Sequence, residues 1–151
     1  MKDGFVKAAA ASPVIKVADA EYNAQQVIKC MAAAREKGVK LLVFPELTLT
    51  GCFCYDLVGH RVLLEGAAAA LEKVVKASEG TDMLVLVGLP YAFGSRLLSC
   101  AAVVYDGALL ALIPRENVAG SRFADYPGDG ELVYVGALET ELCPGALFAH
   151  R

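Results

Sequence analysis

Two stretches, Val39–Phe44 and Met83–Leu89, are apolar at nearly every position. A half-solvated strand would alternate apolar with polar residues. An unbroken run instead predicts a buried strand, and for Val39–Phe44, the second strand, one covered on both faces as in a parallel sheet. A helical stripe precedes each run. Asp19 has the chemistry of an N-cap and Glu21 falls in the first turn. Ala20, Ala24, Val27, Ile28, Met31 and Ala34 then recur at helical spacing up to Gly38. Leu63, Leu64, Ala67, Leu71, Val74 and Val75 make a second stripe that ends near Ser78-Glu79-Gly80. A short apolar run, Phe5–Ala11, closes at Ser12-Pro13 and predicts a first strand. Strand–helix alternation is an α/β order, and it predicts a sheet with helices on at least one face.

Downstream, Leu97–Tyr105 runs into Asp106-Gly107 and Ala108–Ile113 runs back, a hairpin with a type I′ turn. From Arg115 to Gly130 the sequence is polar, Gly-rich and without period, so a loop is expected. Leu132–Val135 reads as a short strand and Ala146–Phe148 as the start of another. At 151 residues the chain fits one domain, and 56% hydrophobic residues argue against disorder. Lys and Arg are scattered and the formal charge is −3, which leaves no basic footprint for nucleic acid. No apolar run is long enough to span a bilayer. Five cysteines, an odd number in a chain that is not Cys-dense, read as reduced thiols of a cytoplasmic protein. With only His60 and His150, a zinc site is not expected. Pro127-Gly128-Asp129-Gly130 lacks the Lys-Ser/Thr of a P-loop and reads as a turn.

Glu46 stands where the second apolar run stops, directly after Pro45. A carboxylate there is either a solvated rim residue or a group held by rigid backbone at the edge of a cleft. Its surroundings favour the second. Phe44-Pro45-Glu46-Leu47-Thr48-Leu49-Thr50-Gly51 resembles the catalytic-glutamate motif of the nitrilase, or carbon–nitrogen hydrolase, superfamily. Within it the chain is most similar to the N-terminal glutaminase domain of glutamine-dependent NAD synthetases. That likeness rests on residues 4–13 and 17–23, Glu36-Lys37-Gly38-Val39-Lys40, Asp56-Leu57, Val87-Gly88-Leu89-Pro90 and residues 100–104.

The resemblance implies a four-layer α-β-β-α sandwich, of which residues 1–151 would be an incomplete, N-terminal part. It implies a Glu–Lys–Cys amidase with glutamine as substrate. No cofactor is expected in this chain, because ATP and deamido-NAD would bind a separate synthetase domain. Family members associate through sheet or helix faces, so homo-oligomers are expected. Half a sandwich would also expose one sheet face, which favours self-association.

By the same resemblance Glu46 takes the position of the general base. Arg115, after Pro114, stands where the family has its lysine, and Phe123 and Asp125 fall in the loop that shapes the glutamine pocket. The sequence also departs from the family. Arg is a wider fork than Lys, Leu98-Ser99 replaces Tyr-Asn, and Cys52 replaces Tyr. Cys143, in Glu141-Leu142-Cys143-Pro144-Gly145, reads as a loop thiol that precedes the nucleophile strand. The chain is therefore read as an amidase part that is inactive when isolated. The alternatives are a degenerate, non-catalytic nitrilase-like module that binds or assembles, and a free-standing amidase on another small amide.

Overall fold

The structure, a computed structural model, describes residues 4–144. Among them seven strands form one mixed sheet in the order β1-β2-β3-β4-β5-β7-β6. β1 (Ala8–Ala10), β2 (Leu41–Val43) and β3 (Leu84–Phe93) are parallel. β4 (Arg96–Tyr105) and β5 (Ala108–Pro114) continue antiparallel. β7 (Leu138–Leu142) joins β5 in parallel, and β6 (Glu131–Val135) is bonded to β7.

Helix α1 (Ala20–Glu36) begins as its sequence demands, the Asp19 carboxylate accepting the Tyr22 N–H at 3.0 Å. It ends at Gly38, whose positive φ of 69° lets its N–H reach the Arg35 carbonyl. Helix α2 (Arg61–Ala77) closes at buried Ser78. The Ser78 hydroxyl donates to the Val75 carbonyl and accepts the Gly107 N–H, tying the helix end to the β4–β5 turn. In that turn Asp106 and Gly107 both have positive φ, the geometry a type I′ turn requires.

The two crossovers β1-α1-β2 and β2-α2-β3 step in the same direction. Right-handed crossovers then place both helices on one face. There Val27, Met31, Leu71 and Val74 pack on Leu42, Val85, Val87, Leu98 and Leu112. The expectation that the second strand is covered on both faces is therefore corrected: Val43, pointing away from the helices, is 38% exposed. On that far face Val103, Ala111 and Ile113 make a small separate cluster against Leu84. The described residues thus build an α layer and a β layer, two of the four that the resemblance implies.

Several strand boundaries differ from the expectation. β1 and β2 are only three residues each, because their partners bond over just three positions. β3 runs on through Pro90 to Phe93 and turns at Gly94-Ser95 into β4. Beyond Leu86 β4 is its one strand partner among the described residues, an edge position that tolerates proline. β7 was not expected, because Leu-Glu-Thr-Glu-Leu carries too little apolar signal. The expected strand at Ala146–Phe148 lies outside the described residues. Among the described residues no helix is long and apolar enough to cross a membrane.

Buried Asn23 joins the first helix to the loop that follows β2. Its Oδ1 accepts the Lys16 N–H at 2.7 Å, and its Nδ2 donates to the carbonyls of Lys16 (2.8 Å) and Leu49 (3.1 Å). Its side chain has no exposure, so a lost partner is not replaced by water. Asn23→Ala is expected to cost about 3 kcal/mol in urea unfolding, since it strands buried donors and acceptors. A loss below about 0.5 kcal/mol would show that the loop is held without it.

Candidate active site

The loop 44–51 leaves the carboxyl end of β2 and folds back over β3, the end of a parallel sheet where ligand clefts form. The Phe44 N–H donates to the Leu86 carbonyl at 2.9 Å and the Leu49 N–H to the Gly88 carbonyl at 3.1 Å. Within the loop the Thr48 hydroxyl donates to the Pro45 carbonyl, and Leu47 adopts a positive φ of 53°. Gly88 makes this close approach possible. A Cβ there would lie 2.7 Å from the Pro45 oxygen and 2.4 Å from the Leu47 nitrogen. The glycine at the centre of β3 is thus the seat on which the Glu46 loop rests.

Held this way, Glu46 projects over the far face of the sheet. Its Oε1 accepts the Ser99 hydroxyl at 2.5 Å and Arg115 Nη1 at 3.1 Å, and its Oε2 lies 3.3 Å from the same Nη1. Ser99 is only 2% exposed, whereas the Glu46 and Arg115 side chains are about half-exposed. The Ser99 carbonyl also accepts the Arg115 N–H at 2.7 Å, so one β4 residue positions both charges. The three line a cleft of about 330 Å³ whose other walls are largely apolar, among them Val43, Leu86, Ala101 and Ile113.

Arg115 reaches this face because of a β-bulge. Near the turn Tyr105 pairs with Ala108 and Val104 with Leu109, but Val103 pairs with Ala111, and Leu110 is the extra residue. A hairpin without it would set Arg115 opposite Leu98, on the face under the helices. The bulge shifts the register by one and sets Arg115 beside Ser99, on the Glu46 side. Sequence reasoning named Glu46 and Arg115, and the structure brings them together. It did not pick out Ser99 as a site residue, because strict pairing from the Asp106-Gly107 turn hides the contact.

Phe123 and Asp125 are not among the residues lining this cleft. Phe123 packs with Cys54, Val58, Leu63 and Leu97, and borders a neighbouring depression with Leu47, Cys52 and Arg122. Asp125 accepts the Val118 N–H within its own loop, and its carbonyl accepts from Arg96.

The thiols are distributed as follows. Cys100 is buried under the helices, and burial pushes its thiol far up from the ordinary range. Cys54 donates to the Thr50 and Gly51 carbonyls. Cys30 packs against the helix-side core, and the Cys143 N–H bonds the Leu112 carbonyl at the end of β7. Cys52 is exposed and donates to the backbone carbonyl of Glu46 at 3.3 Å. Partial burial, the Glu46 charge and Cys54 raise its pKa, which keeps it a thiol at neutral pH. Its alkylation by iodoacetamide is therefore expected to rise only above the pH range of a free cysteine. Glu46→Gln should bring that profile to lower pH, and an unchanged profile would show that the Glu46 charge does not reach the sulfur.

A carboxylate at a strand end, a buried hydroxyl that orients it and a cation beside it form an acid–base arrangement open to a small ligand. Residues 7–146 match the family described as "Carbon-nitrogen hydrolase". The chain belongs to the carbon–nitrogen hydrolase family. Among its relatives, the glutamine-dependent NAD(+) synthetase of Mycobacterium leprae is 29% identical over 97% of this chain. That of Mycobacterium tuberculosis is 31% identical over the same share. In both cases the chain spans only 22% of the relative's length. Two solved structures share the carbon–nitrogen hydrolase fold. The Cytophaga hutchinsonii glutamine-dependent NAD(+) synthetase superposes with a TM-score of 0.81 at 20% identity, over 91% of this chain and 25% of that one. A double mutant of an amidase from Nesterenkonia, in complex with acrylamide, gives 0.70 at 16% identity, over 95% and 56%.

Proposed function

We propose that this chain is the acid–base half of a glutaminase site, one that releases ammonia from glutamine for the amidation of deamido-NAD. The observation that carries the reading is the Glu46 carboxylate, set at the end of β2 in an open cleft and oriented by Ser99 and Arg115. The identity to NAD synthetases across nearly the whole chain supports the choice of glutamine.

In this reading Glu46 takes the proton of an attacking thiol as the sulfur adds to the amide carbonyl, and the carbonyl electron pair moves to oxygen. Arg115 faces that developing negative charge. Glu46 then gives the proton to the amide nitrogen as the C–N bond breaks, ammonia leaves and a thioester remains. Water activated by Glu46 frees glutamate and restores the thiol. We place the attacking thiol outside residues 1–151, because only Cys52 among the chain's thiols stands beside Glu46, and it contacts the backbone rather than the carboxylate. ATP and deamido-NAD are handled outside this chain.

The test is a hybrid in which residues 1–151 replace the matching part of the carbon–nitrogen hydrolase domain of the Mycobacterium tuberculosis synthetase. Glutamine-dependent ammonia release that vanishes in Glu46→Ala supports the reading. A folded hybrid that hydrolyses other amides but not glutamine rejects glutamine as the substrate. A second reading, a domain that binds without catalysis, draws on the Arg115 contact, in which one guanidinium nitrogen, Nη1, already reaches both Glu46 oxygens.

A further inference from the structure

We infer that Cys52 and Cys54 form a reversible redox switch on the loop that carries Glu46. They close to a disulfide across Phe53 and release the backbone that holds the carboxylate. Both thiols grip carbonyls of that loop. Cys52 Sγ donates to the Glu46 carbonyl at 3.3 Å, and Cys54 Sγ donates to those of Thr50 at 2.9 Å and Gly51 at 3.2 Å. A disulfide has no S–H, so closing it takes these donors from all three carbonyls at once. The switch acts on the loop itself, whatever reaction Glu46 serves.

Covalent geometry allows the bridge. Cα atoms two residues apart are at most about 7 Å from each other. Cys52 and Phe53 lie in a turn, which brings the flanking residues closer, into the roughly 4.4–6.8 Å that a disulfide spans. Residues 52–54 lie outside helix and strand, and Phe53 is exposed, so the turn tightens without repacking a buried side chain. Cys52 is exposed and meets a soluble oxidant first, whereas Cys54 is buried behind it. The oxidant is a small disulfide. The Cys52 thiolate attacks one of its sulfurs, that S–S bond breaks and one thiol leaves. The Cys54 thiolate then attacks the Cys52 sulfur and expels the second thiol. The two cysteines give up two electrons, and their protons end on the two leaving thiols. Partial burial and the Glu46 charge hold Cys52 as a thiol, so closure is slow at neutral pH. A bridge over one residue is strained, and strained bridges are readily reduced, which makes the closed state reversible.

The test is treatment of the full 151-residue chain with oxidised glutathione at about pH 8.5, near the pKa of a free thiol, read by peptide mass mapping and ¹H–¹⁵N NMR. The expected result is a fragment spanning Cys52 and Cys54 that has lost the mass of two hydrogen atoms, together with displaced amide resonances of Glu46 and Ser99. Dithiothreitol should restore both. Cys52→Ser should keep the folded spectrum and lose the response of Glu46 and Ser99 to the oxidant. A glutathione adduct that persists on Cys52 would show that the two sulfurs do not meet, and an unreacted Cys52 would overturn the switch as well. A closed ring that leaves the Glu46 and Ser99 resonances in place would be a bridge without a switch, and would also overturn the inference.

Discussion

Inserting one alanine between Leu112 and Ile113 is expected to abolish the Glu46–Arg115 contact and to unfold much of the protein at room temperature. Leu112 lies opposite Ala102 and Ile113 opposite Ala101, and Arg115 stands beside Ser99. One added residue makes the side chains of Ile113, Pro114 and Arg115 exchange faces. Arg115 would be driven toward the position beside Leu98, which is buried under the helices. Burying a guanidinium without its carboxylate costs about 3–5 kcal/mol. A domain of this size has roughly 5–15 kcal/mol in all. Deleting Leu110, the 51% exposed extra residue of the β4–β5 bulge, is the control. It makes the hairpin regular, leaves Ala111 opposite Val103 and Arg115 beside Ser99, and should change stability by about 1 kcal/mol or less. Urea unfolding of the two variants separates the cases. An insertion as stable as the deletion would show that strand register does not set which face Arg115 occupies.

Gly88→Ala is expected to cost about 3 kcal/mol and to detach Glu46 from Ser99 without removing any functional group. The added methyl would meet backbone atoms of Pro45, Glu46 and Leu47, all within 3.0 Å. Backbone of this loop is pinned to β3 through Phe44 and Leu49, so it cannot yield as a flexible side chain would. Either the loop lifts or the strand bows, and both move the carboxylate away from a hydroxyl that now sits at 2.5 Å. The measurement is paired: a urea midpoint for stability, and glutamine-dependent ammonia release by the hybrid for the site. Loss of release well below the unfolding transition is the expected result. Wild-type release in Gly88→Ala would mean that the loop tolerates the methyl and that Gly88 is not its seat.

These two positions also show what a sequence conveys. The helices were legible because their stripes, their Asp19 cap and the closing Gly38 are local signals. The β4–β5 hairpin was legible because Asp106-Gly107 admits few backbone geometries. Glu46 was legible as a candidate through the motif around it. The bulge was not, because Ala108-Leu109-Leu110-Ala111-Leu112 is apolar on both parities and gives no sign of which residue is the extra one. Hence the pairing of Ser99 with Arg115 stayed hidden, although both residues were noted as departures from the family pattern. β7 was hidden for the opposite reason: its alternating glutamates read as solvent, and its strand state comes from pairing with β6 and β5. Phe123 and Asp125 were singled out from a loop with no period, where order in the chain says little about place in the fold.

The central claim is that Glu46 serves half of an amidase site and needs a thiol from elsewhere. Ammonia release from glutamine by three proteins side by side tests it most directly: residues 1–151, the hybrid synthetase, and the hybrid carrying Glu46→Ala. The account predicts background release from 1–151, turnover by the hybrid, and background again from its Glu46→Ala variant. Release by 1–151 alone that disappears with Glu46→Ala would contradict it and point to Cys52 as the attacking thiol, and hybrid turnover that survives Glu46→Ala would remove Glu46 from the chemistry.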